Sequence, residues 1–399
     1  MGKWKIKRGI SLQVDDQGKP VGLVHGAAEE RLDIVWYSRN SSGASRLLSP
    51  DGETISDKKQ GTAIGYEDTV MVGVDYPTLE AAIRSLAGIN RNKKIILPAG
   101  TNTEYNYYMT SYDMSNIIIE GAAPLNVSIT SVQSCTQVSG YSHDIVLNVS
   151  SASIGNCAVD DIIAIRSTSG GTNNEQLLGT HKITNVDTSA NRITVRSNVN
   201  PTYKPSGAIT STAYLYKTRI QNRIECSGMI GLFNIAMLDT LSINPGGSFG
   251  IGVSNLNLCF YGANAFFEAG NGSHIESDGM TFGLLNGATA FGAIYNAFGH
   301  CDGMVIGNCD GTQQAITCYG GTSFSMWYTK VVNASVGIYV TDLSRVQAAN
   351  SKFFDCVTAG IMADYCSQVT STGTEYTRCA ANTIPLANAF SADGSFIKS

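Results

Sequence analysis

Apolar and polar positions in the last third of the chain recur with a period far longer than any helical repeat. Gly337-Ile338-Tyr339-Val340 aligns with Gly360-Ile361-Met362-Ala363 at an offset of 23, and the alignment continues without a gap. Ser344 falls on Ser367, Val346 on Val369, Phe353 on Tyr376 and Cys356 on Cys379. One unit upstream, Ala315-Ile316-Thr317-Cys318 matches residues 337–340 at an offset of 22, which sets Val331 on Phe353. A further unit is expected at Ala293-Ile294, again 22 earlier. Periods of this length mean a solenoid. Helical repeats are excluded, because the units lack a 3.6-residue period and are rich in β-branched residues, Gly and Asn. Leucines at fixed offsets, which a leucine-rich repeat requires, are absent. A parallel β-helix remains, with one coil per repeat and three short strands per coil.

In such coils equivalent side chains stack about 4.8 Å apart. The same offset of 23 then sets Lys352 over Glu375 and Asp355 over Arg378. Both opposite-charge stacks support the register and are expected to be surface ion pairs. Upstream, Tyr76-Pro77-Thr78 marks a helix start, and Leu79, Ala82, Ile83 and Leu86 form one apolar helix face. A turn with Asn90 and Asn92 and a buried strand, Lys94-Ile95-Ile96-Leu97, follow, then Pro98-Ala99-Gly100. A second strand, Asn116-Ile117-Ile118-Ile119, leads into Glu120-Gly121-Ala122. The open end of a solenoid exposes core and backbone, so a short amphipathic helix is a suitable plug.

The order D-x-P-T-L-E-A-A-I, I-I-L-P-A-G, N-I-I-I-E-G over residues 75–121 resembles the opening of the pectate-lyase-like superfamily, in which phage tailspikes and tail fibres are abundant. The resemblance covers about fifty residues, and it bears on fold far more than on chemistry. It implies an all-β, right-handed single-stranded parallel β-helix with a short N-terminal capping helix. The expected organisation is an N-terminal virion-attachment module and linker over 1–72, cap and first coils over 73–124, an inserted antiparallel β subdomain over 125–225, and coils with a short tail over 226–399. The insert is read from alternating stretches such as 159–165, 181–187 and 192–195, separated by turn residues that include Ser169-Gly170-Gly171-Thr172. In the first module, Trp4, Ile6, Leu12, Val21, Leu23, Ile34, Val35 and Trp36 are a candidate core, Lys3, Lys5, Lys7 and Arg8 alternate with Trp4 and Ile6 as in an edge strand, and residues 54–66 are the expected linker.

Composition agrees with a surface solvated by Thr, Ser, Asn and Gly. Of 399 residues, 43% are apolar and only 15% charged, well under the usual quarter. A net charge of −5 argues against a nucleic-acid partner. No apolar run reaches membrane-spanning length, and no signal-peptide pattern opens the chain. The expected setting is synthesis in a bacterial host cytoplasm and residence in the virion. The ten cysteines contain no C-x-x-C pair and no zinc-ligand rhythm, and most are expected to be reduced core residues. No cofactor or metal is expected.

A β-helix can cleave polysaccharide with carboxylates on adjacent coils, whose separation sets the stereochemical outcome. The catalytic candidates are Glu276, Asp278, His300 and Asp302; at a 22-residue spacing Asp278 falls one coil below His300, as a base and its orienting partner. His274 is a further candidate by proximity. Trp327, Tyr328 and Tyr295 are candidates for stacking on sugar rings; the adjacent Trp327 and Tyr328 face opposite sides if they lie in a strand. Apart from histidines, Lys330 is the only basic side chain over residues 226–344, which argues against an anionic-substrate lyase. The leading expectation is a homotrimeric tail fibre or tailspike subunit, docked to a tail or baseplate protein and recognising host-surface polysaccharide. The alternative is a depolymerase that hydrolyses capsule or O-antigen. A secreted pectin-degrading enzyme would bring a signal peptide and a catalytic basic residue, and neither is seen.

Overall fold

The computed structural model describes residues 68–86, 93–104, 107–108, 117–244, 246–250, 257–283, 289–380 and 396–398, together with five strands between Gly2 and Leu48. Two compact units are present, Met1–Glu67 and Asp68–Ser399. In the first, Gly2–Ile6, Ile10–Val14 and Pro20–His25 form an antiparallel three-stranded sheet, and Trp36–Arg39 pairs with Ser45–Leu48. The expected linker over 54–66, the turn at Asn90 and Asn92, and the side chains of the candidate N-terminal core lie outside the described residues.

The second unit is a parallel β-helix. Its coils build three parallel sheets. Sheet I has eleven strands, from Asp68–Met71 to Phe396–Lys398. Sheet II has nine, from Gly100–Asn102 to Glu375–Thr377, and sheet III eight, from Tyr107–Tyr108 to Ala359–Ala363. Ile338 pairs with Ile361, Ile316 with Ile338, Val331 with Phe353 and Phe353 with Tyr376, as the repeat predicts. Inward side chains form one continuous core running from Leu79 to Cys379. Helix α1 (Leu79–Leu86) buries Leu79, Ala82, Ile83 and Leu86 against the first coils, as its periodicity requires.

Upstream of the regular repeat the register departs from expectation. Phe291 pairs with Ile316, an offset of 25, so Ala293 faces Cys318 rather than Ala315. The excess lies in one corner, where the chain over 308–313 is longer than its counterpart over 333–335 in the next coil. The corners use the left-handed region, where Asn costs little. Asn308, Asn333, Asp355 and Arg378 stack there with φ of 60°, 60°, 54° and 55°.

Between Ile117–Glu120 and Thr218–Ile220, two strands of the early coils, the chain makes a closed antiparallel barrel. Its strands are Leu125–Ser139, Ser142–Val149, Ile162–Ile165, Gly179–Asp187, Arg192–Asn198 and Gly207–Tyr216. The coils close over this insertion, since Ile117 pairs directly with Ile230. The barrel then lies along the outer face of sheet II. Val305 and Val332 join the barrel core, and Ala236 and Cys259 pack with Ile162, Ala164 and Tyr216. This explains why sheet II strands such as Leu258–Tyr261 are apolar on both faces. At Gly307 and Gly283 the barrel backbone approaches so closely that any Cβ would collide with Leu178 O or Thr180 O.

The Asn–Asn–Asp–Arg corner column is the polar half of this contact. Asn308 Oδ1 accepts from Asn198 N at 2.5 Å, and Asn333 Nδ2 donates to Gln176 Oε1 at 2.7 Å. Gln176 Nε2 donates to Asp355 Oδ2 at 2.6 Å, and Arg378 donates to both Asp355 oxygens and to Glu175. The Asp355–Arg378 stack is therefore present, but as a buried interface pair rather than the expected surface one: Asp355 is only 4% exposed. Lys352–Glu375 at 2.8 Å is the exposed pair of the two.

Two outcomes follow. Gly307→Ala should lower unfolding stability by about 1–3 kcal/mol, read by thermal or urea denaturation, whereas Gly73→Ala, with no atom within 4 Å, tests the backbone cost alone. Burial pushes the fully enclosed His181 of the barrel down to about 4 from 6.5. Unfolding raises it again, so the unfolded chain binds the extra proton between those values. Stability should be full above pH ~6.5 and fall by about 3 kcal/mol as pH drops toward 4, and His181→Gln should flatten that segment of the profile.

Candidate functional site

Among the described residues of this unit the barrel covers sheet II, and sheets I and III are left as the open faces of the regular coils. On sheet I, alternate residues point outward because side chains switch face at each step along a strand. Ile275, Phe324, Val346 and Val369 point into the core. Their neighbours form two outward columns. One is His274, Phe298, Ser323, Arg345 and Gln368; the other is Glu276, His300, Ser325, Gln347 and Thr370. With Asp302 and Trp327 at the adjoining corner, these residues line an open groove of about 670 Å³.

The groove combines ring faces with ionisable groups. The His274 imidazole stacks on Phe298 with centroids 4.7 Å apart and planes 13° from parallel. Its Nε2 lies 2.8 Å from Glu276 Oε1 and donates to that carboxylate. Phe298 is 46% exposed, so its ring is held by the stack rather than by the core. Asp302 Oδ1 accepts from Ser325 Oγ and from the Trp327 backbone N–H, both at 2.8 Å. That pair of bonds fixes the corner from which Trp327 projects. Both carboxylates thus have internal donors, whereas the Arg345 guanidinium makes no hydrogen bond or ion pair among the described residues. Beneath the groove, burial first and then neighbouring charges, Asp302, Asp278 and Glu276 among them, raise the Cys301 thiol well above its ordinary value. It stays a protonated core residue, not a nucleophile.

Four of the seven expected site residues meet here: Glu276, His300, Asp302 and Trp327. Asp278 does not stand under His300. Glu276 takes that place, because the register offset between these strands is 24 and not 22. Asp278 instead follows Ser277 into a corner, where Gly279 N donates to Asp302 O at 2.7 Å and the Asp278 side chain is solvated. Trp327 and Tyr328 are not in a strand. They occupy a turn, with Tyr328 at φ 57°, and both are exposed, at 39% and 56%. Trp327 lines the groove; Tyr328 is not among the groove's lining residues. Tyr295 lies on the corner leading out of sheet III, edge-on to Tyr319 at 5.5 Å. Arg345 stands one position beyond the stretch in which basic residues are scarce, so that scarcity gave no sign of it. The repeat at an offset of 23 could have found it, since it places Arg345 on Gln368 in an outward column.

Among the described residues, no group of three or more His, Cys, Asp or Glu side chains could hold a metal ion. No family model matches the chain, and a search of curated proteins returns no match.

Asp302→Ala should leave the Trp327 N–H and Ser325 hydroxyl without their acceptor. A loss of about 1–3 kcal/mol is expected, with a changed environment of the Trp327 indole by fluorescence; Asp302→Asn, which keeps an acceptor oxygen, should show less of both.

Proposed function

We propose that this chain is a subunit of a bacteriophage tail fibre or tailspike, and that the sheet I groove recognises host-surface polysaccharide. The observation that carries this reading is the groove itself. It crosses five coils, roughly 19 Å, and presents stacked His274 and Phe298, projecting Trp327 and two columns of polar side chains. An extended saccharide offers what these groups take: apolar ring faces for aromatic side chains and hydroxyls for amides, hydroxyls and carboxylates. The repeating coil supplies such contacts at intervals, as a repeating glycan does. The likeness of residues 75–121 to the opening of the pectate-lyase-like superfamily, in which phage tailspikes and tail fibres are abundant, supports the virion setting. In this reading the unit Met1–Glu67 docks to a tail or baseplate protein, and three copies associate about the fibre axis.

One observation favours a second reading, that of a depolymerase. Glu276 and Asp302 stand on adjacent coils two residues out of register, which sets their Cα atoms roughly 8 Å apart. Paired carboxylates on adjacent coils can serve as acid and base in glycoside hydrolysis, with the separation of their carboxyl groups setting the stereochemical outcome. His300, beside Glu276 in the same column, is then available to orient a proton.

The test is retention and reducing-end release on surface polysaccharide from the host strain, with wild type, Trp327→Ala, Glu276→Gln and Asp302→Asn. Retention weakened about tenfold by Trp327→Ala, the scale of one lost aromatic contact, is the expected result. Chain cleavage that falls about 100-fold or more in either carboxamide variant establishes the depolymerase reading. A protein that neither binds nor cleaves the polysaccharide overturns both.

A further inference from the structure

The outer face of sheet III carries a second groove, of about 740 Å³, on residues that the sheet I groove does not share. We propose that it is a separate saccharide site that takes neutral or amino-bearing sugars and refuses acidic ones.

The groove exists because one outward column lacks a side chain. Glu268, Gly292 and Thr317 are register partners on successive coils. A Cβ on Gly292 would meet nothing within 4 Å, so the floor is bare backbone beneath open space. Around that notch stand Phe266, Glu268, Gln314, Thr317 and Tyr319. The half-buried Phe266 ring and the Tyr319 ring provide two apolar walls. Thr317 Oγ1 donates to Gln314 Oε1 at 3.4 Å, which leaves the Gln314 amide N–H groups free to donate. Burial first, and then neighbouring Tyr295 and Glu268, raise the Tyr319 phenol above its ordinary value, so it remains a donor as well.

Charge sets the class of ligand. Among the described lining residues the only ionised side chains are Asp239 and Glu268, and no basic residue lines the groove. Asp239 Oδ1 already accepts from Thr240 N at 2.7 Å. Glu268 has no hydrogen-bond or ion-pair partner among the described residues. A half-buried carboxylate without an internal donor is completed by a ligand that donates, through hydroxyls or an ammonium group. A uronate or other acidic sugar would bring like charge against it. The sheet I groove differs on this point, since it carries Arg345 and two histidines. The flat face of a sugar ring can lie on the bare floor between the Phe266 and Tyr319 walls. Asp239 to Gln314 spans roughly 14 Å of sheet, enough for a short oligosaccharide.

The experiment is calorimetric titration of the full chain with cellotetraose, maltotetraose, chitotetraose, de-N-acetylated chitotetraose, tetragalacturonate and oligolysine. The variants are Gly292→Tyr, Glu268→Gln and, for the other groove, Trp327→Ala. At least one neutral or amino tetrasaccharide should bind. Gly292→Tyr fills the notch, and its Cβ meets no atom within 4 Å, so it should weaken that binding at least tenfold while the melting temperature and sedimentation stay as in wild type. Glu268→Gln should weaken an amino sugar more than its N-acetylated form, and both effects should persist in the Trp327→Ala background, where the sheet I groove is weakened. Four outcomes overturn the proposal: no heat with any neutral or amino tetrasaccharide; wild-type binding by Gly292→Tyr; binding of oligolysine with no sugar bound; or binding of tetragalacturonate that Gly292→Tyr weakens. None of these touches the sheet I reading, which depends on Trp327.

Discussion

Each coil of this solenoid hydrogen-bonds to the coil before it and the coil after it, so every strand answers to a neighbour about one repeat away. That constraint governs the rest. It forces inward positions to stack as continuous apolar columns, from Ile117 through Ile230 to Phe249 and Ile275 in sheet I. It forces outward positions into columns too, so any side chain suited to a ligand is repeated or answered every few ångströms. It also pushes all variation in coil length into the corners, where Asn, Gly and a few larger residues adopt left-handed backbone. Buried hydroxyls stitch those corners together: Ser344 Oγ accepts from Thr322 N, Ser367 Oγ from Ser344 N and Ser351 Oγ from Thr329 N.

The barrel decides which faces remain for function. It leaves the coils after Glu120, returns at Thr218 and covers sheet II along the later coils. The contact needs two kinds of complementarity at once. Gly283 and Gly307 let backbone meet backbone, and the Asn308, Asn333, Asp355 column supplies the hydrogen bonds that a buried, irregular backbone requires. Gln176 is the joint, only 1% exposed and shared among Asn200, Asn333 and Asp355. Among the described residues of this unit sheets I and III stay open, and their outward columns differ in charge.

Much of the fold was legible in the sequence because residues 337–356 repeat as 360–379 without a gap, and a gapless repeat transmits register. Helix α1 was legible for a similar reason, since four apolar residues define one face. The site was less so. Between Leu258 and Cys318 the register offset from coil to coil changes from 22 to 24 and then to 25, and an error of two positions turns Glu276 over His300 into Asp278 over His300. The apolar runs of sheet II gave no sign of what covers them, because a strand buried by a core and one buried by a neighbouring barrel read alike. Asp355 and Arg378 looked like a solvated pair since their partner, Glu175, lies 203 residues away from Arg378.

That last bond changes how the molecule bears load. A simple stack of coils can be peeled from its free end, one hydrogen-bonded row at a time, like a zipper. Here Arg378 sits near the end of the regular coils, grips Asp355 and Glu175, and lies over the Tyr203 ring at 4.4 Å. Peeling that coil means tearing it from the barrel as well, and the barrel is itself inserted in one early coil, between its sheet I strand and its sheet II strand. The stack is closed into a hoop, so a pull at the last coils is shared with chain from near the beginning.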